Sequence, residues 1–177
     1  MVTATPHAKF YMTAPVFVDT NVFVYARDAS ESLKQPQAAQ WLDHLWRDPF
    51  GRTSTQVLSE YYVTVTRTLD PGLDPDDAWD DVETLFTWRP IATDVALLKR
   101  GREIEQRYRL SGWDSLLIGA AQFQGCALLL TEDLQDGAVY GGVSVRSPFT
   151  LHLGEEASAY SAVAVAKRLR KRGRPKR

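Results

Sequence analysis

Short apolar runs and helix-spaced stretches take turns along most of this chain, and that alternation restricts the fold more than any other feature. Residues 15–19 read PVFVD, a β-branched run entering Thr20, a cap-type residue, and then NVFVYA, which predicts a buried strand feeding a helix. Asp19 then falls at the carboxyl end of a strand. Ala38, Trp41, Leu42 and Leu45 recur at helical spacing; GRTST at 51–55 predicts a strand; Val57, Tyr61, Val65 and Leu69 share one face of the helix after it. DPGLDPDD at 70–77 is a turn with an acidic helix start behind it, followed by WRPIA at 88–92 as a strand and residues 94–110 as a helix. Residues 111–124 place Trp113, Leu116, Leu117, Ala120 and Ala121 on one stripe, with Gly125 at the C-cap position. ALLLT at 127–131 and GGVSVRSPF at 141–149 complete the strands. Strand–helix alternation of this kind predicts an α/β fold on a mainly parallel sheet.

The pattern also sets the boundaries. Residues 1–12 show no periodicity and Met12 directly precedes the first strand-like run, which fits a loose N-terminus or a start placed too early, so the domain is expected over residues 13–149. Residues 150–166, with the segment EEASAYSAVAVA, predict a short helix, and residues 167–177 a basic tail with too little apolar content to fold.

The single cysteine, Cys126, cannot close an intrachain disulfide or build a Cys-rich zinc site, so the core must hold the fold and a reducing cytoplasm is the natural compartment. No apolar run approaches the roughly 18 residues of a membrane span, and Asp19 interrupts the only early apolar stretch. A net charge of −1 conceals an asymmetry: residues 1–166 carry 13 basic against 22 acidic side chains, a net of −9, while KRLRKRGRPKR at 167–177 holds eight basic residues and no acid. An acidic body has no broad basic face for a polyanion, so phosphate chemistry here requires cations or the tail.

Four acids sit where ligands of α/β sheets collect, at the carboxyl ends of strands or the helix starts beside them. Asp19 ends the first strand, Glu60 lies early in the helix after GRTST, Asp114 opens the helix beginning near Gly112, and Asp133 follows ALLLT. Carboxylates brought together repel, and a hard divalent cation such as Mg2+ or Mn2+ removes the conflict while leaving room for water and substrate phosphate. Singly, Asp19 and Asp114 read as helix caps, Glu60 as a solvated acid and Asp133 as a turn former; jointly they read as a metal site.

These residues lie in blocks that resemble the PIN-domain nucleases, and within them the VapC-type toxins. The blocks are VDTNVFVY at 18–25, TQVLSEYYVTVTR at 55–67, LSGWDSLLIGAA at 110–121 and LLTEDLQDG at 129–137. The resemblance implies a three-layer α/β/α fold with a mainly parallel sheet of four to five strands, and a metal-dependent endoribonuclease that hydrolyses RNA phosphodiesters with metal-activated water. It implies Asp19, Glu60, Asp114 and Asp133 as catalytic and Mg2+- or Mn2+-binding acids, oriented by Asn21 and Thr131. Glu132 and Asp136 are further acids in the last block, where the family often has an acid at the place of Gln135. It also implies a cognate antitoxin protein and a homodimer. A housekeeping RNA-processing PIN nuclease is the alternative within enzymes.

Other chemistry finds little support. There is no G-x-S-x-G, Cys/His pair, H-E-x-x-H or G-x-x-x-x-G-K-[ST], and His7, His44 and His152 are scattered. The acidic run from Asp74 to Glu83 has Trp79 where a calcium loop starting at Asp74 needs Gly, so it reads as a solvated helix face. Trp113, beside Asp114, is the one tryptophan whose position suggests base contact. RGRPK at 172–176 resembles an AT-hook, in which Arg172, Arg174 and Lys176 would enter a narrow A·T minor groove of DNA; the plainer reading is a generic basic tail. A non-catalytic nucleic-acid-binding protein using that tail is the alternative outside enzymes.

Overall fold

In the computed structural model, which describes residues 14–47, 50–151 and 153, the alternation resolves into helices stacked around a five-stranded sheet. The elements run β1 (Val16–Val18), α1 (Thr20–Arg27), α2 (Lys34–Arg47), β2 (Gly51–Arg52), α3 (Thr55–Arg67), α4 (Pro75–Leu85), a 3-10 turn (Phe86–Trp88), α5 (Val95–Tyr108), α6 (Gly112–Phe123), β3 (Leu128–Leu130), β4 (Val139–Tyr140) and β5 (Val143–Arg146). Residues 1–12, most of 150–166, and the tail 167–177 with Arg172, Arg174 and Lys176 lie outside the described residues.

Strand order is β2-β1-β3-β5-β4, parallel throughout except for β4 against β5. Every residue of β1 and β3 is buried, as strands covered by helices on both faces must be, which gives the three-layer α/β/α arrangement. Helices α1 to α4 pack among themselves, while α5 packs on α6 and α6 lies against β3 and β5. Because β1 sits between β2 and β3, the chain leaves it toward one edge and returns on the other side. The crevice this creates lies beyond the carboxyl ends of β1 and β3.

Caps start the helices where the sequence places polar residues. Ser54, Asp94 and Ser111 accept from the N–H three residues on, and Asp74 accepts from Asp76. Burying Phe17, Tyr61, Leu45, Ile104 and Leu128–Leu130 contributes roughly 1.5–3 kcal/mol for each large side chain before conformational entropy is deducted. Trp88 closes one end of this core, tilted against Phe23 and Trp46. It passes so close to β2 that a Cβ on Gly51 would lie 2.5 Å from its ring.

WRPIA is not a strand, whereas the strand expected in GGVSVRSPF is present over Val143–Arg146. WRPIA contributes one bridge, Ser54 with Ile91, rather than a strand, because Trp88 ends the 3-10 turn, Arg89 takes a left-handed φ of 54° and Pro90 has no N–H to donate. GGVSVRSPF is half of a hairpin: Gly141 and Gly142, at φ 58° and 94°, form the two-residue turn that pairs Tyr140 with Val143 and adds β4 to the sheet.

Candidate active site

Carboxylates from four elements line one cleft of about 260 Å3 at this crevice: Asp19 after β1, Glu60 in α3, Asp114 in the first turn of α6 and Asp133 after β3. Gln56, Trp113 and Leu117 complete its walls, so among the described residues no lysine, arginine or histidine lines it. The parallel pairing of β1 with β3 is what brings Asp19 beside residues more than 110 positions away. Asp19 N–H still donates to Leu130 O, at 3.1 Å, so the ladder runs up to the site.

A hydrogen-bond chain braces three of the acids. Asp19 caps α1 through Oδ1, which accepts from Thr20 N–H at 2.7 Å, while Oδ2 accepts from the Thr131 hydroxyl at 2.6 Å and from Asn21 Nδ2 at 3.3 Å. Asn21 Nδ2 also lies 3.0 Å from Asp133 Oδ2 and 3.1 Å from Thr131 Oγ1. Thr131, fully buried, accepts in turn from Asp133 N–H. Thr20 donates its hydroxyl to Glu60 Oε2 at 3.0 Å, and Gln56 donates to Glu60 Oε1. Asp114 is mounted separately, on its own helix cap: Ser111 Oγ donates to Asp114 Oδ2 at 2.7 Å and accepts from Asp114 N–H.

Burial pushes the Asp19 carboxyl up to about 6, and the charges of Asp133 and Glu60 add to the effect against the Thr131 hydroxyl and Thr20 N–H, which favour ionisation. Burial, more than the neighbouring carboxylates, sets the direction of this shift.

Glu132 and Asp136 are engaged elsewhere. Glu132 accepts from Lys34 Nζ at 2.7 Å and from the Tyr25 hydroxyl, with the ammonium also over the Tyr25 ring. Asp136 accepts from Arg146 Nε at 3.0 Å, Ser147 N–H at 2.9 Å and the Thr150 hydroxyl at 2.9 Å, pinning the last loop to the end of β5. Gln56 and Ser111 were not among the expected site residues, and Thr20, expected as a cap-type residue, is the first residue of α1 behind the cap Asp19. Gln56 stands four residues before Glu60 on one helix, and Ser111 stands three before Asp114 as in a capping box, so both left a local signal. Thr20 reaches Glu60 across 40 positions and left none.

The donor set fits a hard cation: four carboxylates converge and, among the described residues, no protein cation competes along the walls. Asn21 Oδ1, buried, has no hydrogen-bond partner among the described residues. Among those residues no three His, Cys, Asp or Glu side chains form a ready-made cage. Mg2+, which keeps several waters and uses one or two carboxylates with substrate phosphate, does not require one.

A cleft of oxygen donors at the carboxyl edge of a mainly parallel sheet defines an α/β protein suited to cations and the phosphates that accompany them. A family model described as the PIN domain matches residues 16–136, from β1 through all four acids, and the chain belongs to the PIN-domain family. PIN domains are generally nucleases that act on nucleic acid and typically use divalent metal ions. Among curated proteins none matches this chain. Among the described residues no helix is long and apolar enough to cross a membrane.

Proposed function

We propose that the protein is a Mg2+- or Mn2+-dependent endoribonuclease and the toxin of a type II toxin–antitoxin pair, a cytoplasmic homodimer neutralised by a small antitoxin protein. The observation that carries the nuclease reading is the convergence of Asp19, Glu60, Asp114 and Asp133 on one cleft without a lining cation among the described residues. The toxin role, the antitoxin and the dimer rest on the likeness of the four sequence blocks to VapC-type proteins.

Asp19, Glu60, Asp114 and Asp133 are the carboxylates from which the ion would take its one or two protein ligands, with water and substrate phosphate supplying the rest. When bound, it supplies an activated water and neutralises charge on the phosphoryl and leaving oxygens. The chain's own part is orientation. Thr131 and Asn21 aim the Asp19 and Asp133 carboxylates, Thr20 and Gln56 fix both oxygens of Glu60, and Ser111 fixes Asp114 at the helix start. Held in this way, the carboxylates need little rearrangement to accept the cation–phosphate pair.

Purified protein should cleave unpaired RNA with added Mg2+ or Mn2+ and lose that activity in EDTA. Asp19→Asn and Asp114→Asn should each reduce cleavage to the EDTA background. Undiminished cleavage in both variants would remove the assignment. For the toxin role, induced expression should arrest growth in proportion to cleavage, and co-expression of a small adjacent reading frame should relieve the arrest. Cleavage without arrest would assign RNA processing instead.

A further inference from the structure

Trp113 is 65% exposed, the most of any tryptophan in the described residues, although it opens a well-packed helix. The two other half-exposed tryptophans have ring partners: Trp46 packs on Trp88, and Trp79 on Tyr62 and Phe86. Trp113 has none among the described residues. Its indole instead forms a wall common to two spaces, the acidic cleft and a second cavity of about 360 Å3 between α5 and α6. Leu98, Gly101 and Leu116 give that cavity an apolar lining, and the Arg102–Glu105 ion pair, at 2.7 Å, adds a donor fork and an acceptor. Gly112 also borders it, and a Cβ there would meet nothing within 4 Å, so the space is open on that side.

We infer that Trp113 and this cavity form a subsite for one unpaired nucleobase of the substrate strand, next to the phosphate held over the acids. The inference rests on the ribonuclease reading for its substrate class. A base is tied to its phosphate through one sugar, so a stacking platform must adjoin the phosphate position, and Trp113 adjoins Asp114 in both sequence and cleft. The exposed indole face accepts any base, while the guanidinium and carboxylate of Arg102 and Glu105 are placed to meet a base edge. A paired base, stacked within its helix, cannot present its face to the indole. Trp113 therefore selects single-stranded over duplex RNA.

The test uses the intact chain and a short unpaired oligoribonucleotide carrying 2-aminopurine, whose fluorescence falls on stacking, with Ca2+ in place of Mg2+. Wild-type protein should quench the probe; Trp113→Ala should lose the quench and bind about 10- to 100-fold more weakly, and Trp113→Phe should retain most of both. The same sequence paired in a hairpin stem should bind wild type and Trp113→Ala alike. With Mg2+, Trp113→Ala should raise KM more than it lowers kcat. Equal affinity and equal quench in Trp113→Ala would overturn the subsite. So would a change in sedimentation without a change in RNA binding, which would make this face a contact between copies of the chain. The two readings fail separately: cleavage insensitive to Trp113 sinks the subsite alone, whereas Trp113-dependent quenching without cleavage in Mg2+ or Mn2+ sinks the nuclease alone.

Discussion

Asp19 is under opposing demands. Its carboxyl is drawn from water at the end of a buried strand, yet the proposed metal role needs it ionised. Its proton is held to about pH 6 in the folded chain, against an ordinary 3.8, so the folded state binds that proton more tightly than the unfolded state does. The sign follows: without metal, stability falls as pH rises from about 4 through 6, by on the order of 3 kcal/mol once Asp19 is fully ionised. Denaturant midpoints in EDTA should therefore be higher at pH 5 than at pH 7, and Asp19→Asn should flatten that window; equal midpoints in the wild type would contradict the assignment. Asp136 acts in the opposite direction and lower on the scale. Burial alone would raise it, but the Ser147 N–H, Thr150 hydroxyl and Arg146 guanidinium hold it below its usual 3.8, so its contribution disappears only as pH falls below that range. At this scale Asp19, Asp114 and Asp133 were legible because each stands at a strand end or helix start, positions that short-range pattern identifies, while Glu60, in the second turn of α3, was marked by its sequence block. The bond from Thr20 to Glu60 was not legible, since a hydrogen bond between two helices leaves no periodicity.

Among the elements, β2 shows how little room the sheet edge has. It is two residues long, and Gly51 is the residue that lets the Trp88 ring lie against the strand. Gly51→Ala would place a methyl 2.5 Å from ring atoms of a side chain already wedged between Phe23 and Trp46. A destabilisation of about 1–3 kcal/mol is expected, seen as a lower denaturant midpoint at unchanged slope. The helices and the two central strands were readable because burial writes a period of 3.6 into the former and an unbroken apolar run into the latter. β4 was not, because Val139 is exposed and Tyr140 half-buried, so no run marks it. WRPIA misled for the converse reason: its apolar content is real, and Trp88 is buried, but a proline and a left-handed arginine deny the segment a ladder.

For the molecule as a whole, the charge distribution separates two tasks. The net of −9 over residues 1–166 opposes approach of a nucleic acid, and the eight cations of residues 167–177 favour it. Removing 167–177 should leave metal-dependent cleavage intact at low salt while weakening RNA binding and flattening its dependence on salt concentration. Loss of cleavage at saturating RNA would instead make the tail part of the machinery, and unchanged salt dependence would show that it meets no phosphate. The same scale exposes a division within the cleft. Asp19, Glu60 and Asp133 are knit together through Thr20, Asn21 and Thr131, but among the described residues no hydrogen bond joins them to Asp114, whose only anchor is Ser111. Asp114 and Trp113 therefore keep their places through the seating of α6 on β3 and β5, and not through any tie across the cleft among the described residues.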